Sequence, residues 1–346
     1  MNNVNILVTC ASGALAPALI NHIRKHSKFT TTIIGTSNED VSKNAYVLDK
    51  FIQVPLGSDP TYTDYMMNIF SKESVDFVIV GSDEEALALS KVKLQAKNEL
   101  DCTILVSEHE VIELLGDKAA VYEKLKSDNI EVPPFKVVNN NAELLNALES
   151  FGYPQKTVVG KLSQGRGGRG FSLFVGEEGA PEWCGNGQRE SRYESLSFES
   201  LKELIKVDSK TMIMPAMGTP CYDVDVLAHN GRLINCVIRE RINPSGIPFK
   251  GSRFIDNTDI EKYCESICRS LKLNALHDID LMTMEDGSMG LLEVNPRPSG
   301  ALSASLKAGI PFIDNAIELF MFEREPEITS KNLVSEVIPV LDLIAY

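Results

Sequence analysis

Apolar residues fall into three textures along the chain. Up to about residue 115, short apolar runs alternate with longer mixed stretches. Asn5–Thr9, Thr31–Thr36, Asp76–Val80 and Thr103–Val106 are compact apolar runs that predict buried strands. A small-residue turn, Cys10–Ala14, follows the first, and a helix is predicted through His26. Strand, helix, strand at this spacing predicts a parallel sheet covered by helices. Ligands of such sheets gather at the carboxyl ends of the strands, where Gly13 and Gly81–Glu85 fall. The first turn lacks G-x-G-x-x-G, so a close-packed turn is the preferred reading over a dinucleotide site.

From 116 to 212 the texture is mixed. Helices are predicted at Lys118–Asp128 and Asn141–Phe151, the second capped from Asn139–Asn141, with an extended linker at Glu131–Phe135 between them. Strands Thr157–Leu162 and Phe171–Val175 flank a glycine-rich segment, Ser163–Gly170, giving a small α+β module. Residues 176–196 are polar without a clear period and read as a loop or insertion; they hold Trp183. From 213 onward strands are longer and alternate. Met212–Pro215 leads into this part, and Tyr222–Ala228 and Leu233–Arg239 flank the hairpin signal Asn230-Gly231. After a helix at Glu261–Leu271, strands His277–Leu281 and Leu291–Arg297 flank the turn Glu285–Ser288, and two helices follow near 301–308 and 312–322.

Composition narrows the classes. The 346 residues carry 34 basic and 48 acidic side chains, a net charge of −14, which argues against bulk nucleic-acid binding. No apolar run reaches membrane-spanning length, and the N-terminus lacks a signal peptide's basic region and cleavage site, so a cytoplasmic protein with no membrane partner is expected. The seven cysteines are scattered, without a Cys-x-x-Cys pair, which fits free thiols. Cys264 and Cys268 share a helical face, where packing is the simpler explanation than metal ligation.

Glu293, Asn295 and Arg297 point the same way from one strand. An acid, an amide and a guanidinium make a poor core face, because burying them unpaired is costly. They make a good floor for a metal–phosphate complex: the acid and amide are hard ligands, and the guanidinium meets phosphoryl charge. If the two last strands form a hairpin, Asp280 and Glu293 can hold one cation. Gly165, Gly167, Gly168 and Gly170, with two arginines between them, can turn backbone N–H groups toward an anion, or can simply make a hairpin tip. The segment joins two strands, so it is no Walker motif. Lys161 just before it offers a point charge to a phosphate. Asp117 caps the helix that Lys118 begins, and Lys118 alone reads as an exposed helix residue. Met214–Gly218 either holds an adenine ring or packs. Arg239 and Arg241, on one strand face, either pair with surface acids or bind a carboxylate or acyl phosphate; the second suits their fixed fork of donors.

In this order the elements resemble the ATP-grasp superfamily, in the branch similar to the carbamoyl-phosphate synthase large chain, which includes many carboxylate–amine ligases. The resemblance covers about residues 4 to 320. It rests on Glu293-Val294-Asn295-Pro296-Arg297 with Asp280 upstream, on Lys161 with Gln164–Gly170, and on Asp117-Lys118. It implies an α/β protein with a Rossmann-like domain (1–115), a small α+β lid (116–212), a C-terminal antiparallel α+β domain (213–325) and a tail (326–346). It further implies ATP between lid and C-terminal domain. Lys118 and Lys161 would touch its phosphates, under the glycines at 165, 167, 168 and 170, and the backbone at Met214 and Ala216 would hold adenine. Asp280, Glu293 and Asn295 would bind Mg²⁺, with Mn²⁺ as an alternative. Arg297 would stabilise the transferring phosphoryl group, and Arg239 and Arg241 an anionic substrate.

The chain departs from the family pattern in two places. The hinge, Met214-Pro215-Ala216, lacks the usual acids. Cys221 stands where a ribose-binding glutamate is common, which leaves Asp223 as its substitute. The implied reaction activates a small-molecule carboxylate as an acyl phosphate and joins it to an amine. A kinase that stops at the phosphorylated product and a nucleotide-binding regulatory module are the alternatives; the intact metal and phosphate set argues against the module. Homodimers are common in the family.

Overall fold

The computed structural model describes residues 3–39, 44–164, 170–183, 190–194, 196–243, 251–327 and 336–340. Three sheets follow one another along the chain. The first contains β1 (Asn3–Val8), β2 (Thr30–Ser37), β3 (Lys50–Gln53), β4 (Phe77–Ile79) and β5 (Thr103–Leu105). All its pairings are parallel, in the order β3-β2-β1-β4-β5. Its helices are α1 (Ala16–His26), α2 (Tyr62–Lys72), α3 (Asp83–Leu100) and α4 (His109–Leu115). This is the doubly wound half-sheet expected for the N-terminal part. The sequence did not signal β3, an edge strand of four residues with polar ends.

The second sheet has the order β6-β10-β7-β8-β9. Its strands are β6 (Lys136–Val138), β7 (Val158–Leu162), β8 (Phe171–Val175), β9 (Glu190–Glu194) and β10 (Thr211–Pro215), accompanied by α5 (Lys118–Ser127), α6 (Asn141–Ser150) and α7 (Phe198–Leu204). Two expectations change here. Residues 190–194, read as loop, form β9, which pairs parallel with β8. Its sequence, Glu-Ser-Arg-Tyr-Glu, is a charged edge strand without apolar alternation, so periodicity missed it. The run Met212–Pro215, expected to lead the third part, is instead the middle of this sheet, between β6 and β7. The glycines at 165, 167 and 168 lie outside the described residues; Gly170 is described and takes a φ of +71°, which favours glycine.

The third sheet is antiparallel throughout, in the order β15-β14-β11-β12-β13-β16. It comprises β11 (Gly218–His229), β12 (Arg232–Arg241), β13 (Ser252–Ile255), β14 (Ala275–Thr283), β15 (Met289–Asn295) and β16 (Glu336–Val337), with α8 (Thr258–Leu271), α9 (Leu302–Ser305) and α10 (Phe312–Phe320). Asn230 and Gly231 both take positive φ at the β11–β12 turn, as the Asn-Gly signal predicts. One face of this sheet is apolar: Val224, Val226, Ile238, Ile279, Leu281 and Val294 share a core with Ile260, Cys264, Ile267 and Cys268 of α8. The two cysteines are therefore packing residues. A second core joins the first sheet (Val4, Ile6, Ile33) to the third (Leu227, Val237, Leu276) through α10. That shared core fixes the N-terminal sheet against the C-terminal one. No helix among the described residues is long and apolar enough to cross a membrane.

Candidate active site

Because side chains alternate along a strand, the other face of the third sheet collects what its apolar face cannot hold. Two rows of polar side chains cross it. In one, Arg239 on β12 stands opposite Asp223 on β11, Asp223 opposite Asp280 on β14, and Asp280 opposite Glu293 on β15. In the next, Asp225 stands opposite Asp278 and Asp278 opposite Asn295. The β14–β15 hairpin expected from the sequence thus forms and sets Asp280 beside Glu293.

The β12 end of the rows is closed. Arg239 is 0% exposed. Its Nε donates to Asp225 Oδ2 (3.2 Å) and Ser305 Oγ (2.9 Å), its Nη2 to Ser299 Oγ (3.0 Å), and its Nη1 reaches Asp223 Oδ2 at 3.5 Å. Arg241 donates through Nε to Asp223 Oδ1 (2.8 Å) and through Nη2 to Asp280 Oδ1 (3.2 Å). Burial opposes the charge on Arg239, but Asp225 and Asp223 outweigh it and raise its pKa. Two expectations need correcting. The acids that hold Arg239 and Arg241 are buried, not surface groups, and every guanidinium nitrogen of Arg239 is engaged, which leaves it nothing to offer a substrate anion. Asp223, 3% exposed, has both oxygens bound by these arginines, so its expected place at a ribose gives way to one inside the row.

Four aspartates of the rows, Asp223, Asp225, Asp278 and Asp280, surround two arginines. Burial, with Asp225 and Asp223 nearby, pushes the Asp278 carboxyl up to about 8. Burial and Asp278 push Asp280 up as well. Asp278 Oδ1 is buried without a hydrogen-bond partner. Ligand atoms of Asp223, Asp278 and Asp280 lie within 4.8 Å of one another. Crowded carboxylates with an orphaned oxygen fit a hard cation.

The β15 end is different. Tyr122 on α5 donates its hydroxyl to the Leu291 carbonyl, which docks α5 on β15. Asp117 caps α5 through the Ala120 amide (3.1 Å), accepts from the Ser163 hydroxyl and pairs with Lys210 (2.9 Å). The Lys118 amide donates to Ser163 O (2.9 Å), so the helix start is tied to the residue that follows β7. Lys118 Nζ lies 3.4 Å from Glu293 Oε2, with side chains 15% and 31% exposed. Lys161, from β7, feels both Glu293 and Lys118; burial lowers its pKa to about 8, with Glu293 opposing and Lys118 assisting. Lys118, Lys161, Glu293 and Asp280, separate in sequence, therefore meet as expected. A cleft lined by Asp83, Gly116, Lys118, Tyr122, Glu293 and Asn295 opens here.

Arg297 pairs with Asp83, a residue of the cleft wall. Its Nη1 donates to Pro298 O (3.0 Å), and its Nε lies 3.1 Å from Asp83 Oδ1 at the start of α3. Burial disfavours its charge, but Asp83, Asp278, Asp280 and Glu293 together raise its pKa. Asn295 is held by His277, whose Nδ1 lies 2.9 Å from the Asn295 carbonyl. His277 is fully buried, with Nε2 at 2.8 Å from Ser107 Oγ, and burial lowers its pKa. Asp83, Asp225, Asp278 and His277 were not singled out as site residues by the sequence. Asp225 and Asp278 could have been, from the alternation Asp223-x-Asp225 and Asp278-x-Asp280; Asp83 lies in the segment Gly81–Glu85 expected at the strand ends, but only the tertiary fold brings it to Arg297.

At the hinge, Met214 lies on β10 beyond the last residue paired with β6, and the Ala216 amide donates to Thr157 O (3.1 Å). Trp183 Nε1 donates to the Met217 carbonyl (2.6 Å) and its ring meets Phe171 edge-on.

A family model described as ATP-grasp in the biosynthetic pathway with Ter operon matches residues 208–340. The solved N5-carboxyaminoimidazole synthetase from Staphylococcus aureus complexed with ADP superposes with a TM-score of 0.67 at 17% identity, covering 97% of this chain and 82% of that one. The chain has the ATP-grasp fold. A second ATP-grasp neighbour is the biotin carboxylase domain of the Hydrogenobacter thermophilus 2-oxoglutarate carboxylase, crystallised with MgADP, ADP and bicarbonate. It gives a TM-score of 0.68 at 15% identity and covers 96% of this chain and 72% of that one. Among curated proteins, the arginine-specific carbamoyl phosphate synthase large chain of Halalkalibacterium halodurans is 26% identical over 304 residues. The match takes in 84% of this chain, which spans about a quarter (26%) of that relative's length.

Proposed function

We propose that this ATP-grasp protein is an ATP-dependent ligase, one that activates a small-molecule carboxylate as an acyl phosphate and joins it to an amine. The observation that carries the reading is the β15 end of the polar rows, where Lys118 and Glu293 line a cleft and Lys161, Asp280 and Arg297 lie within electrostatic reach of Glu293. Two lysines and an arginine suit a polyphosphate. Asp280, Glu293 and Asn295, with Asp278 beside them, are the donors that would hold Mg²⁺, which when bound neutralises phosphate charge.

ATP is the phosphoryl donor. Lys118 and Lys161 hold its phosphates, and Arg297 faces the γ-phosphoryl group. A carboxylate oxygen attacks that phosphorus, the bond to the β-phosphate oxygen breaks, and ADP leaves. The amine nitrogen then attacks the acyl carbon, and the carbon–oxygen bond breaks to release phosphate. The amine's proton passes to the leaving phosphate or to water. The residues contribute position and charge throughout, with no covalent intermediate on the protein. Ala216 and Met214 at the hinge receive the adenine, and the acyl phosphate forms in the cleft. Excluding water there protects the acyl phosphate from hydrolysis.

The test is ADP release from Mg·ATP across a panel of carboxylates, with and without amines. ADP that forms only when a carboxylate is present supports the reading, and an amide product completes it. ATP that binds but yields no ADP with any acceptor overturns it.

A further inference from the structure

Arg297 has two claims on it. Phosphoryl transfer needs its guanidinium turned to the γ-phosphate, yet in this structure its Nε is held 3.1 Å from Asp83 Oδ1, on the far wall of the cleft. Asp83 belongs to the N-terminal sheet, following Gly81 and the α3 cap Ser82. The acids beside it are not equivalent. Glu85 is 5% exposed and already accepts from the hydroxyls of Thr9 (2.6 Å) and Ser82 (3.0 Å). Asp83 instead lines the cleft with Lys118, Glu293 and Asn295. Its Oδ1 is buried and accepts no hydrogen bond of good geometry, although the Arg297 charge is close. When Arg297 turns to the phosphoryl group, Asp83, whose side chain is 16% exposed but whose Oδ1 is buried, is left as a partly buried carboxylate without its cation, a state that a second cation would relieve.

We infer that Asp83 docks the amine substrate as its ammonium ion, exchanging one cation for another as Arg297 moves to the acyl phosphate. The inference rests on the ligase reading above and deepens it by naming the amine's class: a basic amine that arrives protonated, not a weakly basic or uncharged nitrogen nucleophile. Position favours the exchange as well as charge. A group on Asp83 lies one side chain away from whatever Arg297 holds, so the ammonium waits next to the acyl carbon; it gives one proton to the Asp83 carboxylate, which frees the lone pair for attack, and the second proton leaves with the phosphate. Asp83 also couples the two sheets, because an N-terminal residue then recognises the acceptor while the C-terminal sheet carries out the transfer.

The experiment compares two acceptors in the full chain with Mg·ATP and a panel of standard L-amino acids as carboxylate donors. Ethylamine is charged at neutral pH; hydroxylamine is mostly uncharged there. Asp83→Asn is expected to raise the KM for ethylamine by about tenfold, the size expected for removing one partner of a partly buried charge pair, with a much smaller rise for hydroxylamine. A fall in kcat common to both acceptors reports the lost Arg297 contact and is read separately. Asp83→Glu should recover part of the ethylamine KM, and Glu84→Gln, altering the neighbouring acid, should leave the ethylamine-to-hydroxylamine KM ratio unchanged. Isothermal titration of ethylammonium chloride into the protein loaded with a non-hydrolysable ATP analogue gives a reading independent of turnover, and binding should weaken in Asp83→Asn. Equal KM rises for both acceptors, no rise at all, or the same selective rise in Glu84→Gln would overturn amine docking while leaving the ligase reading intact. A wild-type protein that releases no ADP with any donor removes the ligase reading, and this inference falls with it.

Discussion

Arg239 and Lys118 each meet carboxylates of the third sheet, at opposite ends of the same polar rows. Arg239 is wholly enclosed and bonded at every nitrogen by Asp225, Asp223, Ser299 and Ser305. Lys118 meets Glu293 at 3.4 Å with 15% of its side chain and 31% of its partner's exposed. The chemistry of the two contacts is alike; their enclosure differs. A closed pair has its desolvation offset by its own partners, and removing one leaves a stranded charge. An open pair is a placeholder whose members can separate when a phosphate and a metal arrive. Charges on one face of one sheet thus divide into a closed part that holds the fold and an open part to which the proposed function assigns the chemistry.

That contrast breaks most readily at Arg239. Arg239→Met should destabilise the protein by about 3 kcal/mol in chemical denaturation, because buried Asp225 loses its arginine and Asp223 keeps only Arg241. Lys118→Met should change stability by less than about 1 kcal/mol, the range of partly exposed pairs, while weakening ATP-analogue binding in calorimetry. If both variants lost stability equally, the division into closed and open ends would be wrong.

Glu293→Gln comes next in size. It keeps the shape of the open end and removes its charge, so ADP release should fall about a hundredfold or more, roughly 2.7 kcal/mol of barrier, with the denaturation midpoint little changed. A variant with wild-type turnover would remove the metal site from the open end.

A pH series sharpens the comparison further. The folded-state pKa of Lys161 is lowered to about 8, below that of an unfolded lysine. At pH values beneath 8 both states carry the proton, and the folded protein bears the cost of the buried charge. Between the folded and unfolded values the unfolded chain binds more protons, so this residue's contribution to stability rises with pH. Phosphate binding responds in the opposite sense, since it needs the charged lysine. ATP-analogue affinity should decline above about pH 8 in the wild type, and Lys161→Arg, which keeps its charge, should flatten that decline. The smallest effect belongs to the α5 cap: Asp117→Ala should cost about 1 kcal/mol in a thermal melt.

What the sequence could convey followed from locality. The β14–β15 hairpin, the Asn230-Gly231 turn and the α5 cap are written in adjacent residues, and all appear where expected. Glu293, Asp280 and Lys161 were found because polar residues on strands demand an explanation. The partners of Arg239 were misjudged because exposure is a property of the packed sheet: nothing in the strand tells whether its neighbours are surface acids or Asp223 and Asp225. The segment Gly81–Glu85 is expected at the strand ends, but the partner of Asp83 within it stayed hidden for a related reason. The contact with Arg297 spans two sheets joined through a shared core, and no local pattern encodes that distance. β9 escaped because a charged edge strand has no apolar period to detect.

Trp183, whose indole N–H holds the Met217 carbonyl, is the chain's single tryptophan. The hinge therefore comes with a built-in optical reporter. Its emission arises from one position, so a change in intensity or wavelength on mixing with nucleotide has one structural origin. Stopped-flow fluorescence of the unlabelled protein can time events at the hinge, separately from the chemistry that follows.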